Sequence, residues 1–171
     1  MPGNRHASVV VIRKLTSDDA AELTALLVAN RELHRPYVPD RREAFFEVES
    51  QRERLEAAEH LYGILDEGRL AGVVEISNVI RGPFQSATLG YWVDDARRGR
   101  GLATRAVAAV VELAFGELGL HRLEAATLVD NVASQRVLEK NTFTRIGPAP
   151  GYLRIAGAWR DHVLYQRTRD H

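Results

Sequence analysis

Hydrophobic and polar residues alternate along the chain in two different periods, and this pattern predicts a mixture of strands and helices. Short runs rich in Val, Ile and Leu predict strands at residues 9–14, 61–65, 70–78, 86–93 and 121–129. Asp66-Glu67-Gly68-Arg69 separates the second and third runs and predicts a hairpin turn in which the glycine supplies a positive φ. The residues from Phe143 onward predict a last hairpin that turns near Gly157.

Apolar residues three or four positions apart predict helices between the strands. The predicted helices cover residues 20–29, 41–60, 106–118 and 131–140. The third has a continuous apolar face that predicts core packing, and Gly119 is expected to end it in the left-handed conformation. Strands and helices in this order predict an α/β (α+β) fold, and the length of 171 residues suits a single domain over residues 1–171.

The composition excludes several classes of function. The 23 basic residues match the 23 acidic ones, so no net charge attracts the chain to nucleic acid or to a membrane surface. The absence of cysteine excludes disulfides, thiolate metal sites and a cysteine nucleophile, and no pair of histidines or carboxylates has metal-ligand spacing. No apolar stretch approaches the roughly 18 residues that a membrane span needs. We therefore expect a cytoplasmic protein without a metal, a nucleic-acid partner or a membrane anchor.

The most informative segment is Arg98-Gly99-Arg100-Gly101-Leu102-Ala103-Thr104, which lies between the strand at 86–93 and the helix at 106–118. Two glycines at the start of a helix let the backbone approach a ligand closely, and the free N–H groups of a helix N-terminus attract an anion. Arg98 and Arg100 add fixed positive charge and forked hydrogen-bond donors. The segment therefore predicts a site for the phosphate or pyrophosphate of a cofactor.

Two other glycine-rich phosphate loops compete with this interpretation. A Walker loop ends in Gly-Lys-Ser/Thr, and neither of the two lysines, Lys14 and Lys140, follows a glycine. A dinucleotide fingerprint needs a third glycine where Thr104 stands, and a strand directly before the loop. Asp130, at the end of the next predicted strand, has the place of a ribose-binding acid, so an oxidoreductase that binds NAD stays open at this point.

The segment from Arg98 to Ala103 also fits the R/Q-x-x-G-x-G/A motif of the GNAT superfamily of acyl-CoA-dependent N-acetyltransferases. Further stretches resemble the RimJ/RimL branch, and RimJ-like members above all, at residues 76–84, 89–93, 131–134, 152–155 and 159–164. They follow the family's order over about residues 10–167. The resemblance implies a single GNAT-type domain with its core at about residues 9–167, a mixed central β-sheet flanked by helices, and acetyl-CoA as the cofactor.

The resemblance also implies roles for individual residues in the transfer of acetyl from acetyl-CoA to an amine by direct attack. The implied pyrophosphate cradle consists of Arg98, Gly99, Arg100, Gly101, Leu102, Ala103 and Thr104. The N–H of Val93 is the implied oxyanion donor, and Trp92 either lines the pantetheine or is a core aromatic. Asn131 is implied to contact the cofactor arm, a role that is compatible with a helix N-cap.

The acid and the base of such a reaction match the family's pattern less well. Many GNAT enzymes have a tyrosine acid where this chain has Leu138, whereas RimL-like members use a serine, which corresponds to Ser134. Glutamates found in some relatives are replaced here by Ile146 and Thr88. Glu75 is then the nearest acidic candidate for a catalytic base, or the partner of an arginine.

The acceptor that the resemblance implies is the N-terminal α-amine of a protein such as a ribosomal protein. An α-amine has a pKa of about 7.7–8.0 against about 10.4 for lysine, so near neutral pH it needs no strong base. A small-molecule amine and a CoA-binding module without activity are the alternatives. The residues expected around the acceptor entrance are Arg31, Tyr37, Arg81, Phe84 and Tyr152, and residues 159–162 are expected to be structural.

One local departure concerns the end of the last predicted helix. The family usually has a glycine where this chain has Thr142, directly before Phe143. We expect Asn141 to adopt the left-handed conformation in its place, because asparagine tolerates that conformation better than most residues.

Overall fold

The computed structural model describes residues 11–169, which form a seven-stranded sheet. Its strands are β1 (Val11–Lys14), β2 (Leu61–Asp66), β3 (Arg69–Ile80), β4 (Ser86–Val93), β5 (Arg122–Leu128), β6 (Thr144–Ile155) and β7 (Ala158–Thr168). Their spatial order is β1-β2-β3-β4-β5-β7-β6, and all neighbours are antiparallel except β4 and β5. Residues 9–10 of the first predicted strand and both ends of the predicted domain lie outside the described residues.

Helices cover both faces of this sheet, as the sequence predicts for an α/β fold. In the described part of the chain they are α1 (Ala20–His34), α2 (Val48–Ala57), α3 (Leu102–Phe115) and α4 (Val132–Lys140). The apolar face of α3 packs with Leu138 of α4 in the larger core, whereas α1 and α2 enclose a smaller core on the other face. No helix within residues 11–169 is long and apolar enough to cross a membrane.

Two hairpins turn where the sequence predicts. Between β2 and β3 both central residues have positive φ, Glu67 at 51° and Gly68 at 79°, which is the backbone of a two-residue turn that follows the twist of the strands. The turn between β6 and β7 is built in the same way from Ala156 and Gly157. The sequence predicts the positive φ of the two glycines but not that of Glu67 and Ala156. The pairing of the flanking strands maintains this strained conformation at the two non-glycine residues.

The sheet opens between its two parallel strands. β4 and β5 pair only at Ser86–Arg122, Ala87–Leu123 and Thr88–Glu124 among the described residues. β5 continues to pair with β7 as far as Leu128, and β4 continues to pair with β3 as far as Val93. The two strands therefore diverge from Leu89 onward, and each leaves one edge without a neighbouring strand.

The structure corrects the boundaries of three predicted helices. Residues 41–60 form a short 3-10 helix, Glu43–Phe46, followed by α2, because Glu47 between them is extended with φ −100° and ψ 144°. α1 continues to His34 instead of ending at residue 29. The helix predicted at 106–118 begins at Leu102 and ends at Phe115, so Gly119, although its φ is 61°, does not cap it.

The expectation for the end of α4 is wrong in one residue. Asn141 keeps a negative φ of −95°, and Thr142 itself takes the left-handed conformation with φ 57°. The amide of Asn141 donates to the carbonyl oxygens of Thr104 and Val137, at 3.1 and 2.9 Å, and these bonds hold its backbone at the end of the helix. The left-handed residue at the end of α4 is therefore Thr142, a β-branched residue that adopts this conformation at a cost of about 1–2 kcal/mol.

Replacing Thr142 with glycine is therefore expected to raise the free energy of unfolding by about 1 kcal/mol. The relief of left-handed strain exceeds the greater backbone entropy of glycine in the unfolded chain. Urea denaturation measures this change. Thr144→Gly, on an exposed and extended residue of β6, is the control and should lose about 0.5–1 kcal/mol. A loss of stability in both variants would contradict the strain at Thr142.

Candidate active site

A cavity of about 600 Å³ lies where β4 and β5 diverge. Its walls are the separated strand edges, the glycine loop, the first turns of α4, and the end of α1 with the loop after it. The strand residues that line it are Leu89, Gly90, Tyr91, Trp92, Val93, Ala125, Ala126, Thr127 and Leu128. Because main-chain N–H and C=O groups on these edges have no partner strand, they can bind an extended ligand as a strand would.

The glycine loop forms one end of the cavity. Gly99 and Gly101 both have φ 73°, a conformation that other residues adopt at a cost. α3 begins directly after Gly101, and no side chain caps it, so the N–H groups of its first turn remain available to a ligand. The loop residues that line the cavity are Arg98, Gly99, Gly101, Leu102, Ala103 and Thr104. This arrangement suits an anion.

Arg100 is the one predicted cradle residue that does not line the cavity. Its guanidinium binds the carboxylate of Asp66, at the end of β2, with Nη1–Oδ2 and Nη2–Oδ1 distances of 2.6 and 3.3 Å. The Asp66 side chain is 2% exposed and also contacts Arg97 at 3.3 Å. The prediction that Arg100 faces the ligand is therefore not supported, because this buried carboxylate turns it toward the β2–β3 hairpin.

Three cationic residues that the sequence analysis did not select also line the cavity: Arg97 before the loop, and Arg136 and Lys140 on α4. Arg136 and Lys140 are four residues apart and so lie on the same side of their helix. With Arg98 they make the cavity basic although the chain as a whole carries no net charge. The helical spacing of Arg136 and Lys140 is the signal that could have indicated them.

Asn131 and Ser134 meet at the start of α4, and both line the cavity. The side-chain oxygen of Asn131 accepts the backbone N–H of Ser134 at 3.2 Å, so the asparagine is the N-cap of the helix. This contact fixes the first turn of α4 against the cavity.

Tyr91 brings a second hydroxyl to Ser134. The two hydroxyl oxygens are 2.8 Å apart, and the Tyr91 hydroxyl also lies 3.1 Å from the carbonyl oxygen of Ser134. Burial raises the pKa of Tyr91 to about 12, although the hydrogen bond with Ser134 opposes part of the rise. The phenol therefore keeps its proton at neutral pH. From the sequence alone, Tyr91 belongs to the predicted strand at 86–93 and to the RimJ/RimL-like stretch at 89–93, without a role of its own.

Thr127 has the one buried side-chain oxygen or nitrogen within residues 11–169 that lacks a hydrogen-bond partner. Its Oγ1 belongs to a residue of β5 that lines the cavity. A buried hydroxyl without a partner is costly, so this atom indicates a polar ligand group in the cavity. The sequence could not indicate Thr127, because only the folded structure shows that its hydroxyl has no hydrogen-bond partner.

Trp92 and His34 form the wall on the opposite face of the sheet. Their rings meet edge to face with centroids 5.2 Å apart, and Trp92 also packs against the smaller core. Burial, followed by the positive charge of Arg98, lowers the pKa of His34, so its imidazole is neutral at neutral pH. Val93, the last residue of β4, follows Trp92 at the end of the open edge.

Glu75, the predicted base, does not line the cavity. It stands opposite Gly90 in the β3–β4 ladder, and its Oε2 is 3.2 Å from the guanidinium of Arg54 on α2. The structure therefore places the carboxylate of Glu75 in an ion pair beside the cavity wall. The second possibility that the sequence left open, pairing with an arginine, is the one observed.

His162 on β7 is 3% exposed and lines the cavity. Its Nδ1 is 3.0 Å from the carbonyl oxygen of Arg160, and its ring lies 5.3 Å from that of Tyr152 on β6. The expectation that residues 159–162 are structural holds for Asp161, which accepts the backbone N–H of Gly151 at 2.8 Å. It does not describe His162, whose ring reaches the cavity.

The residues expected around the acceptor entrance divide into two groups. Tyr37 lines the cavity. Tyr152 does not line it but packs against the ring of His162, which does. Arg31 forms an ion pair with Glu43 beside a neighbouring polar pocket. Arg81 and Phe84 lie at the far end of β4, where Arg81 donates to the carbonyl of Leu118 at 2.7 Å and Phe84 stacks under Arg122.

A hydrogen bond joins the loop after α1 to the β6–β7 turn, near the expected acceptor entrance. The carboxylate of Asp40, in the loop after α1, accepts the backbone N–H of Gly157 in the β6–β7 turn at 3.0 Å. No group of His, Asp or Glu side chains within residues 11–169 is arranged to hold a metal ion.

The chain matches a protein-family model, the acetyltransferase (GNAT) domain, over residues 10–144. It is 39% identical over 165 residues to the probable N-acetyltransferase YjcK of Bacillus subtilis (strain 168), with 91% of each chain covered. It is 31% identical over 169 residues to the ribosomal-protein-uS5-alanine N-acetyltransferase of Escherichia coli (strain K12), with 93% of this chain and 87% of that protein covered. The solved structure of Mycobacterium smegmatis RimJ in complex with CoA-disulfide matches with a TM-score of 0.89 and 31% identity, over 95% of this chain and 83% of that one.

The contact between Arg100 and Asp66 yields a stability prediction. Arg100→Ala should lower the free energy of unfolding by about 1–2 kcal/mol, because the buried carboxylate then keeps only the longer contact with Arg97. Arg98→Ala should change it by less than about 0.5 kcal/mol, since the ion pair of Arg98 with Asp95 is exposed. Urea denaturation compares the two variants, and equal losses would contradict the anchoring role of Asp66.

Proposed function

The chain belongs to the GNAT family of acetyltransferases, and we propose that the amine it acetylates is the N-terminal α-amine of a protein. It is an N-acetyltransferase that uses acetyl-CoA and resembles the RimJ/RimL type. The relative from Escherichia coli is a ribosomal-protein-uS5-alanine N-acetyltransferase, which supports a protein acceptor.

The observation that carries this proposal is the charge of the cavity. The described residues that line it include Arg97, Arg98, Arg136 and Lys140 but no carboxylate. A lysine acceptor, with a pKa of about 10.4, would enter this basic cavity as a cation without an acidic partner. An α-amine, with a pKa of about 7.7–8.0, has a far larger neutral fraction near neutral pH than a lysine and so reaches its neutral, nucleophilic form in this cavity at a lower cost.

The cavity residues fit acetyl-CoA. The left-handed glycines and the uncapped start of α3 suit its pyrophosphate, and the cationic residues around them suit its phosphates. The buried hydroxyl of Thr127, in the wall of the cavity, has no hydrogen-bond partner within residues 11–169. When bound, acetyl-CoA supplies the thioester carbonyl that the amine attacks and the thiolate that leaves. Trp92 and the N–H of Val93 are proposed to border the reacting end.

Ser134 is proposed to give a proton to the departing thiolate. The contact with Asn131 fixes the backbone of Ser134, and the hydroxyl of Tyr91 at 2.8 Å can replace the proton that Ser134 gives up. Because burial raises the pKa of Tyr91 to about 12, this hydroxyl is protonated near neutral pH. Tyr91 thus stands in for the tyrosine that Leu138 replaces in α4.

We do not assign Glu75 to the path of the proton. Its carboxylate is bound to Arg54 and does not line the cavity, so its proposed role is to support the wall of the sheet beside Gly90.

An acceptor panel tests the proposal. Peptides that begin with Ala or Ser should release CoA from acetyl-CoA, and the same peptides with a formylated N-terminus and an internal lysine should not. Turnover is measured with a thiol reagent, and mass spectrometry identifies the modified nitrogen. Acetylation of small amines without any reaction on the peptides would exclude the N-terminal acceptor, and no turnover on any amine would indicate a CoA-binding module.

Gly101→Val should abolish binding of acetyl-CoA, because a β-branched residue cannot hold φ at 73° without strain and its Cβ would stand only 3.0 Å from Nη1 of Arg105, so the loop must change its shape. Gly82→Val is the matched control, since Gly82 has φ 68° in a turn that does not line the cavity. Calorimetry should therefore find normal affinity in the control. If Gly101→Val binds acetyl-CoA as tightly as the parent chain, the loop is not the cradle.

Ser134→Ala is the complementary variant for the same calorimetric series. It should bind acetyl-CoA with nearly unchanged affinity and turn over more slowly by about ten- to a hundredfold, since it lacks only the proton for the thiolate. Normal turnover in this variant would exclude Ser134 as the acid.

A further inference from the structure

We propose that His162 is the general base of the transfer, accepting at Nε2 the proton that the acceptor ammonium must lose before it attacks. The proposal rests on the N-acetyltransferase activity and not on which amine is the acceptor. It fills a place for which the sequence offered only Glu75, a residue bound to Arg54 outside the cavity.

The hydrogen bond at Nδ1 determines the tautomer of His162. The carbonyl oxygen of Arg160, 3.0 Å away, can only accept, so Nδ1 is the nitrogen that carries the proton. Nε2 of the neutral ring therefore has the free lone pair. Nε2 has no hydrogen-bond partner among the described residues, and it is also not one of the buried atoms left unsatisfied, so it is accessible from the cavity.

The ring of His162 is held from several sides. It is 3% exposed, it packs against Tyr152 with ring centroids 5.3 Å apart, and its strand is paired with both β5 and β6. A base that is fixed in this way needs little reorganisation at the moment of proton transfer.

The two faces of the sheet separate the base from the acid. Val163 and Tyr165 of β7 belong to the larger core beneath α3 and α4. His162 directly precedes Val163 in the strand, so it faces the opposite side, that of α1 and α2. Tyr91 and Ser134 meet on the α4 side. The diverging strands connect the two faces, so the amine can lose its proton on one side while the thiolate gains one on the other.

His34 is the other histidine in the described lining of the cavity, and it is the weaker candidate. Burial and the charge of Arg98 lower its pKa, which makes it a poorer base. Its ring already contacts the edge of Trp92 at a centroid distance of 5.2 Å. It also stands nearer to the cationic end of the cavity, where a second proton is least favourable.

The proposed step conserves atoms and charge. Nε2 takes one proton from the –NH₃⁺ group, and the freed lone pair forms the C–N bond at the thioester carbonyl as the C–S bond breaks. The imidazolium then passes its proton to solvent. The second proton lost by the acetylated nitrogen also goes to solvent and balances the one that Ser134 delivers to the thiolate.

Other ionisable groups surround His162. They are Arg160 and Asp161 on β7, Tyr152 and Arg154 on β6, Asp130 after β5, and, in the lining of the same cavity, His34, Tyr37, Arg97, Arg98, Arg136 and Lys140. Asp130 pairs with Arg160 at 3.8 Å, and Asp161 binds the N–H of Gly151.

His162→Asn is the variant that tests the proposal, because its amide N–H replaces the Nδ1 donor to Arg160 and removes the Nε2 lone pair. Its kcat at pH 7 on a peptide that begins with Ala should fall by about a hundredfold, with the affinity for acetyl-CoA and the melting temperature nearly unchanged. At pH 9 the α-amine is mostly neutral without help, so the defect should shrink to about tenfold or less. A structural role predicts an equal loss at both pH values.

His60→Asn, at a histidine outside the described lining of the cavity, is the matched control, and it should retain most of the rate at both pH values. His34→Asn tests the rival histidine in the same assays. A large, pH-dependent defect in His34→Asn with normal turnover in His162→Asn would overturn the proposal. So would a defect in His162→Asn that is independent of pH. His162→Gln, tested in the same assays, replaces the first variant if it fails to fold, and the same pH criterion decides.

The experiment distinguishes a wrong assignment of the acceptor from a wrong assignment of the base. If the parent chain does not acetylate the peptide, the proposed acceptor is wrong, and the comparison is repeated with alaninamide, whose α-amine must lose the same proton. A pH-dependent defect of His162→Asn on alaninamide would still support the base, and a normal rate there would overturn it.

Discussion

The structure depends on the separation of two parallel strands. β4 and β5 are joined by α3 and pair at their first residues, after which they diverge. A complete sheet would satisfy every main-chain group of both strands and would close the space between the helix layers. Divergence instead creates the cavity, exposes its backbone walls and connects the two faces of the sheet. The glycine loop, the first turn of α4 and the ring of His162 all meet at this opening.

A second constraint keeps the glycine loop in place. Asp66 is buried at the end of β2 and holds Arg97, just before the loop, and Arg100, between the two glycines of the loop. A buried carboxylate needs such partners. The loop in turn needs a contact that fixes its backbone, because its glycines allow many backbone conformations. The hairpin that carries Asp66 therefore belongs to the site although none of its side chains lines the cavity. This contact fixes the loop directly before the uncapped start of α3.

Local patterns predict much of this arrangement. The strands, the turns at Gly68 and Gly157 and the strand–loop–helix order around Gly101 follow from residue type and spacing, and the fold class is confirmed. Side-chain directions that depend on distant partners do not follow. Arg100 turns away because of a carboxylate 34 residues earlier, and the proton on Nδ1 of His162 depends on a bond that only the folded strand forms. Thr142 takes the strained conformation because the amide of Asn141 binds α3.

The open edges of β4 and β5 also bear on how such a chain diversifies. Their hydrogen-bonding groups belong to the main chain, and substitution of side chains does not remove main-chain groups. The opposite rim consists of side chains and loops, including the segment that Asp40 ties to Gly157. Mutation can therefore remodel the rim while the strand edges persist. Related chains can in this way diverge in the partner they modify faster than in the chemistry they perform.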